Sequence, residues 1–379
     1  MIDPKELLNG AERLHDPVQI VDRILRAGLF SQASDIHFDP GADALRVRFR
    51  IDGCLEEVLR LPLTMQSAVT SRLKVLASLD IAEKRAPQDG GFSWRLSGAG
   101  AYNTSPLDVR MATLPVRNGE RLTLRLLESG GKRYTIDDLG MSEVHRQIFD
   151  EVLKRPHGLV LLTGPTGSGK TTTLYAAINE LMKGEAKNII TVEDPIEYEI
   201  DGVAQAEVDS SDKVNFAKAL KSILRHDPDI VMIGEIRDAE SLDAAVKSAL
   251  TGHLVLSTLH TNDAIGAVTR LRNMGLANHL IAATLRLAIA QRLVQRRCKA
   301  CNGEGTCAVC GGRGYAGRIG LFELFRPDDT AVSLIADGAN EATIRASARA
   351  AGFTTLAEDA REKVASGITT EPETLKVIE

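Results

Sequence analysis

Eight consecutive residues, Gly164-Pro165-Thr166-Gly167-Ser168-Gly169-Lys170-Thr171, satisfy the spacing G-x-x-x-x-G-K-[ST] at every fixed position. Such a loop holds phosphate: its glycines let the backbone turn so that successive N–H groups, and the first turn of a following helix, face an anion. Lys170 is then placed to reach the β- and γ-phosphates and the Thr171 hydroxyl to ligate Mg²⁺, with Thr172 opening the helix behind them. A chance match in a surface loop is the bland alternative. The flanking sequence argues against it, because the apolar strand Leu159–Leu162 runs into the loop and the helical segment Thr172–Leu181 runs out of it. ATP with Mg²⁺ is the expected ligand.

Binding is not hydrolysis, and the second activity needs carboxylates or histidines near the phosphates. Residues Asp229–Glu235, DIVMIGE, read as a buried strand ending in a carboxylate. Most P-loop ATPases place Asp before the catalytic Glu there, whereas this chain has Gly234, which leaves Glu235 to polarise the attacking water or to hold Mg²⁺ through water. A second acidic strand end, Thr191-Val192-Glu193-Asp194-Pro195, comes beside the same crevice if the sheet is parallel, so Glu193 is a further catalytic candidate. A third strand carries His253 and His260 at its two ends. A lone histidine is more often structural; two beside a central strand, with Thr258 and Thr261 near, point to sensing of the γ-phosphate.

Cys298, Cys301, Cys307 and Cys310 form two C-x-x-C pairs, the paired-knuckle spacing of tetrahedral Zn²⁺, while Cys54 stands alone. In a reducing compartment such a cluster reads as metal before disulfide.

The elements that must position these groups fall into two patterns. Pro17–Ala33 has helical spacing, with Val18, Val21, Ile24, Leu25 and Leu29 on one face. Strands are expected at Asp35–Phe38, Leu45–Ile51, Leu55–Leu59, Gly90–Leu96, Leu107–Ala112 and Arg121–Leu127, with a helix at Ser67–Leu79, which together suggest a small α+β domain. Ser129-Gly130-Gly131-Lys132 reads as a linker. Beyond it the apolar strands Gly158–Thr163, Ile189–Val192, Ile230–Ile233 and Leu254–Thr258 alternate with helices, the mark of βαβ units and a parallel sheet. The last fifty residues read as helices, the final one opening on a Thr370-x-x-Glu373 capping box.

The chain has 379 residues, 44% of them hydrophobic and 26% charged, with a net charge of −5, which suits a globular protein of two or three domains. Its first 130 residues carry 17 basic and 17 acidic side chains, so there is no basic arm for nucleic acid, and direct nucleic-acid binding is not expected. The N-terminus lacks the pattern of a secretory signal, and the most apolar stretch, Leu280–Leu293, is interrupted by Thr284, Arg286, Gln291 and Arg292. A cytoplasmic location follows as the expectation.

These signatures together resemble the secretion-motor ATPases of type II secretion and type IV pilus assembly. The phosphate loop (Walker A) is followed, in that family's order, by an Asp box T-V-E-D-P-I-E (191–197), an atypical Walker B I-V-M-I-G-E-I-R-D (230–238) and a His box T-G-H-L-V-L-S-T-L-H-T-N-D-A (251–264). Ahead of them S-D-I-H-F-D-P (34–40), R-V-R-F-R-I-D-G (46–53), D-V-R (108–110) and G-E-R-L-T-L-R-L-L (119–127) are similar to the family's N-terminal module.

The resemblance implies a RecA-like P-loop ATPase domain with a smaller α+β N-terminal domain, assembled as a homo-hexamer with ATP between the two domains. The implied layout is a tail over 1–16, the small domain over 17–129, a linker over 130–139 and the ATPase domain over 140–379, carrying the cysteine loop at 298–310. It also implies that Arg110 and Arg125, with Arg121 third, reach the nucleotide; taken alone, arginines on adjacent strands are a solvated sheet face. Arg237 would serve the site or a ring interface. The implied partners are inner-membrane platform and docking proteins, which would hold a cytoplasmic motor peripheral to the inner membrane. Zn²⁺ is typical of the assembly and secretion members, though their cysteine pairs are usually separated by more than the five residues found here. Two more departures are Gly91, where an arginine is usual, and the roughly sixteen residues ahead of the match, too few for the extra docking domain of many secretion members. Type II secretion is the favoured task, pilus assembly or DNA uptake its rival. A non-hydrolysing nucleotide-binding scaffold and a RecA-type helicase are readings of other classes. Glu235, His253 and His260 together argue against the scaffold, and the charge balance against the helicase.

Overall fold

The computed structural model describes residues 4–95, 106–128, 134–184, 186–208 and 216–378; the linker read at Ser129–Lys132 lies outside them. The chain divides into two units, Met1–Lys132 with Gln295–Gly317, and Arg133–Val294 with Arg318–Glu379. The cysteine segment thus belongs to the first unit, although sequence order grouped it with the second.

The first unit runs α1 (Pro4–Leu8), α2 (Pro17–Phe30), β1 (Ala33–Pro40), β2 (Ala44–Ile51), β3 (Cys54–Pro62), α3 (Leu63–Leu76), β4 (Gln88–Trp94), β5 (Leu107–Val116) and β6 (Gly119–Glu128). The segment expected as a tail is packed: Leu8 and Ala11 join the core of this unit. Helix α2 starts where Asp16 accepts from the Val18 N–H and Pro17 occupies the first turn, and it buries Ile20, Val21, Ile24 and Leu25. Val18, expected on that face, stays exposed. The strands make one antiparallel sheet in the order β3-β2-β1-β6-β5-β4. Alternation sorts its faces: Val47, Phe49 and Ile51 go to the core, while Arg46, Arg48 and Arg50 do not. Strand β1 answers those cations with Asp39, 2.7 Å from Arg48, and Asp35, 3.7 Å from Arg50.

The second unit runs α4 (Glu143–Leu153), β7 (Gly158–Thr163), α5 (Lys170–Leu181), β8 (Ile189–Glu193), β9 (Ala204–Glu207), α6 (Phe216–Ile223), β10 (Ile230–Ile233), α7 (Ala239–Leu250), β11 (Leu254–Leu259), α8 (Gly266–Asn273) and α9 (Asn278–Thr284). It continues with β12 (Leu285–Arg297), β13 (Tyr315–Phe325), α10 (Asp329–Ala336), α11 (Glu341–Ala350), α12 (Leu356–Ala365) and α13 (Glu371–Thr374), the outer ends of β12 and β13 counting with the first unit. The sheet order is β13-β12-β7-β11-β10-β8-β9. Strands β12, β7, β11, β10, β8 and β9 pair in parallel, so helices cover both faces, and the central strands β7, β11 and β10 are buried along their length. All six residues of β7 are buried, with separate apolar cores on the two sides of the sheet.

The apolar stretch 280–293 ends α9 and supplies most of β12. Among the described residues no helix is long and apolar enough to cross a membrane. The capping box expected at Thr370 does not form: Thr370 is the N-cap of α13 without a side-chain cap bond, and the Glu373 carboxylate accepts from Lys376. The reciprocal box appears one helix earlier, between Thr355 and Glu358 at the start of α12.

Candidate active site

Strand β7 delivers the phosphate loop at the carboxyl edge of the sheet. Gly164 has φ 146°, and a Cβ there would lie 2.5 Å from the Gln291 carbonyl oxygen and 2.8 Å from Ser168 Oγ. Glycine is therefore dictated by close approach of β12 as well as by backbone conformation. Gly169, φ 88°, caps α5, and a Cβ on it would press on Gln291 Nε2 at 2.8 Å. Gln291 is buried, and its Oε1 accepts from Thr173 Oγ1 at 2.8 Å, so β12 backs both the loop and the first turn of its helix.

Lys170 Nζ donates to the Gly164 and Pro165 carbonyls at 2.8 and 3.0 Å. Burial lowers its pKa, Glu235 opposes that shift, and the like charge of Arg292 adds to it. Arg292 donates to Asn262 O at 2.8 Å and to Gln291 O at 3.1 Å, at the rim of the loop. Ser168 Oγ is buried with no hydrogen-bond partner among the described residues. An orphaned hydroxyl, a cradle of positive-φ glycines and an ammonium resting on loop carbonyls are what a bound phosphate would satisfy. Thr171 is exposed on the first turn of α5.

Opposite Lys170, Glu235 follows β10. Its Oε2 lies 3.1 Å from Arg237 Nε and its Oε1 3.3 Å from His260 Nε2, so the carboxylate is gripped from two sides. Arg237 also reaches Asp194 at 3.2 Å. Gly234 has a steric cause: a Cβ would stand 3.3 Å from Val192 O and 3.4 Å from the Glu193 Cα, where β8 and β10 converge. Thr258 Oγ1 donates to the Gly234 carbonyl at 2.7 Å, which locks the end of β10 to β11.

Two expected catalytic residues are elsewhere. Glu193 is 2% exposed and turned inward: Thr191 Oγ1 at 2.6 Å and Gln205 Nε2 at 3.0 Å donate to Oε1, and the buried Tyr175 hydroxyl donates to Oε2. This carboxylate joins α5 to β8 and β9, and none of these partners belongs to the phosphate loop. His253 precedes β11, and the strand's six residues put it about 20 Å from His260 at the amino edge of the sheet. There its Nδ1 meets Ser248 O at 2.9 Å and Thr251 Oγ1 at 3.2 Å, an end-of-helix contact of α7.

The expected arginines lie in the first unit. Arg125 is paired with Asp35 at 3.2 Å and Arg121 with Asp39 at 3.0 Å, and Arg110 sits opposite Arg125 in register between β5 and β6. Gly91 of β4 is the other neighbour of Arg110.

Also in the first unit, the four clustered cysteines have all Sγ atoms within 4.8 Å of one another. The closest pairs, Cys298–Cys307 at 3.5 Å and both Cys301–Cys310 and Cys307–Cys310 at 3.7 Å, are far too long for a disulfide. They match the edge of about 3.8 Å that a tetrahedron with Zn–S bonds of about 2.3 Å requires. Asn302, Gly303 and Gly305 take positive φ, which lets the five residues between the pairs turn the chain back, and Gly311, Gly312 and Gly314 do the same after Cys310. Thr306, donating through its amide, leads the contacts that lower the pKa of the Cys301 thiol. The residues fit zinc. Arg313 pairs with Glu56 at 3.3 Å and the Gly317 N–H donates to Asp52 at 3.0 Å, which fastens the segment to the β2–β3 hairpin.

Gln291, Arg292 and Tyr175 carried no functional assignment from sequence. The first two were visible as polar breaks in an apolar run; Tyr175 carried no signal.

The profile of the family described as "Type II/IV secretion system protein" matches residues 12–376. The type II secretion system protein HxcR of Pseudomonas aeruginosa is 45% identical over 367 residues, 95% of this chain and 77% of that one. The type IV pilus assembly ATPase PilB of Myxococcus xanthus is 42% identical over 380 residues, 93% of this chain and 66% of that one. Among solved structures, the pilus retraction motor PilT with bound ADP aligns at TM-score 0.68 and 27% identity, covering 94% of this chain and 96% of that one.

Proposed function

The chain belongs to the type II/IV secretion system protein family and is an ATPase, and from that premise we propose that it is the hexameric motor that powers type II protein secretion, with Glu235 at its catalytic centre. The observation that carries the assignment is the grip on Glu235, held by Arg237 and His260 across from Lys170. A carboxylate fixed in that way can orient a water for attack on the γ-phosphate and take its proton. Lys170 would leave the loop carbonyls for the β- and γ-phosphates, Ser168 and the loop N–H groups would close around them, and His260 would register the γ-phosphate while it steadies Glu235. Thr171 would hold Mg²⁺, which when bound neutralises charge on the phosphates. Zn²⁺ on Cys298, Cys301, Cys307 and Cys310 would be structural, since four thiolates leave it no open position.

Arg110 and Arg125 would supply charge to the transferring phosphoryl group once a ring of six copies fixes their place. Docking on inner-membrane platform proteins would bring a cytoplasmic motor to its machine. The likeness to PilB favours pilus assembly as the second reading, with the same chemistry and another cargo. The test is Glu235→Gln, which should bind a fluorescent ATP analogue with unchanged affinity and lose most phosphate release. Near-normal turnover in that variant would place the water elsewhere.

A further inference from the structure

Six residues link β11 to α8, and within them a different part of the second unit holds each of the four in the loop Thr261-Asn262-Asp263-Ala264. Thr261 N donates to Thr163 Oγ1 at 2.7 Å, at the last residue before the phosphate loop. Arg292 of β12 donates to Asn262 O at 2.8 Å. Arg345 of α11 donates to Asp263 Oδ2 at 2.9 Å, while Asp263 Oδ1 caps α8 through Gly266 N at 2.7 Å. Ala264 N donates to Glu323 Oε1 of β13 at 2.9 Å.

Glu323 is the unusual member. It is 3% exposed, and its other oxygen accepts the Leu356 N–H at 3.1 Å, at the first residue of α12. Burial raises its pKa, and the two backbone N–H groups pull it back. Its contacts to the loop and to α12 are thus main-chain donors, and a buried carboxylate is an expensive way to join two backbone segments. What it joins is informative. One oxygen holds the loop that directly follows His260, and the other holds the start of the C-terminal helices α12 and α13.

We infer that Glu323 is a positioning residue for ATP hydrolysis, which by clamping loop 261–264 to the start of α12 sets where His260 meets Glu235. This rests on the roles given above to His260 and Glu235. It adds a route by which a displacement of α12 changes turnover: the pull on Leu356 N reaches Ala264, then His260, then the Glu235 carboxylate. Asp263, held by Arg345, is the parallel tie to α11.

The test is Glu323→Gln, which keeps the shape but sets an amide N–H₂ against one of the two backbone donors. Three measurements are made on the full chain: the kcat and KM for ATP, the affinity for a fluorescent ADP analogue, and the kcat of Glu323→Gln in a His260→Ala background. The expected result is a roughly tenfold fall in kcat, nucleotide affinity within about twofold, and little further loss once His260 is absent. Wild-type kcat overturns the inference. So does a fall in kcat that comes with weakened binding, or one that persists in full without His260, since either marks a general structural role. If His260→Ala alone has wild-type kcat, the reading of His260 fails and this inference with it; if it is slow while Glu323→Gln is not, only this inference fails. Should Glu323→Gln not fold, Arg345→Gln loosens the same loop at Asp263 from a half-buried position, and the same three measurements decide.

Discussion

Replacing Tyr175 with Phe separates the structural from the catalytic reading of Glu193. The Tyr175 hydroxyl is fully buried, donates to Glu193 Oε2 and accepts from Glu197 N at 3.2 Å. The ring packs edge-on against Tyr198 with centroids 4.6 Å apart, a contact that Phe retains. The substitution therefore removes one hydrogen bond to a buried carboxylate and one to a backbone N–H, and little else. Thr191 and Gln205 still satisfy Oε1. A hydrogen bond to a charged group contributes about 1.5–3 kcal/mol, which for a unit of more than 200 residues lowers the thermal midpoint by roughly 4–8 °C at about 2 kcal/mol. The assay is a thermal melt by circular dichroism with and without ADP, reading the transition that nucleotide shifts. Turnover measured well below the midpoint should change less than about threefold, because the partners of this network are Thr191, Gln205 and Glu197 rather than loop residues. An unchanged midpoint would mean that the buried bond contributes nothing. An unchanged midpoint together with a large fall in kcat would return Glu193 to the catalytic list.

Purified chain should carry about one Zn²⁺ per copy, set free by a thiol-modifying reagent, and Cys307→Ser should lower that content sharply; metal analysis that finds none in chelator-free protein refutes the site. Arg110→Ala and Arg125→Ala should each fold, since Asp35 keeps Arg50 when Arg125 is removed, and bind ATP normally. Both should hydrolyse it slowly, by a factor on the order of a thousand if they act as arginine fingers. Wild-type specific activity should rise with protein concentration as rings close, and a flat profile with two active arginine variants would point to a self-contained ATPase.

The phosphate loop, the strands β7 and β10 and the place of Glu235 at the end of β10 were legible because they depend on neighbours in sequence: a short apolar run, then glycines or a carboxylate. Where Glu193 and His253 lie came from orientation. Histidines at both ends of one strand of a parallel sheet must fall on opposite edges, so His253 and His260 could not share a site. Glu193 is three residues beyond Ile190 at the end of a strand buried along its length, and only Tyr175 and Gln205, 18 and 12 residues away, show that it faces inward. Gln291 and Arg292 interrupted an apolar stretch, and that signal was used only to argue against a membrane span. Glu323 was beyond reach, since its partners Ala264 and Leu356 lie 59 and 33 residues off in opposite directions.

The division of the chain also has a temporal side. The first unit is not a continuous stretch: Arg313 and Gly317, which answer Glu56 and Asp52, leave the ribosome only after the intervening Arg133–Val294. At 5–20 residues per second the wait is roughly ten to thirty seconds. During that interval the β2–β3 hairpin presents two uncompensated carboxylates, and the six-stranded sheet must stand without its last piece. The thiols arrive with that piece, so a Zn²⁺ held by them would be taken up late in the synthesis of a unit whose sheet was complete some 170 residues earlier.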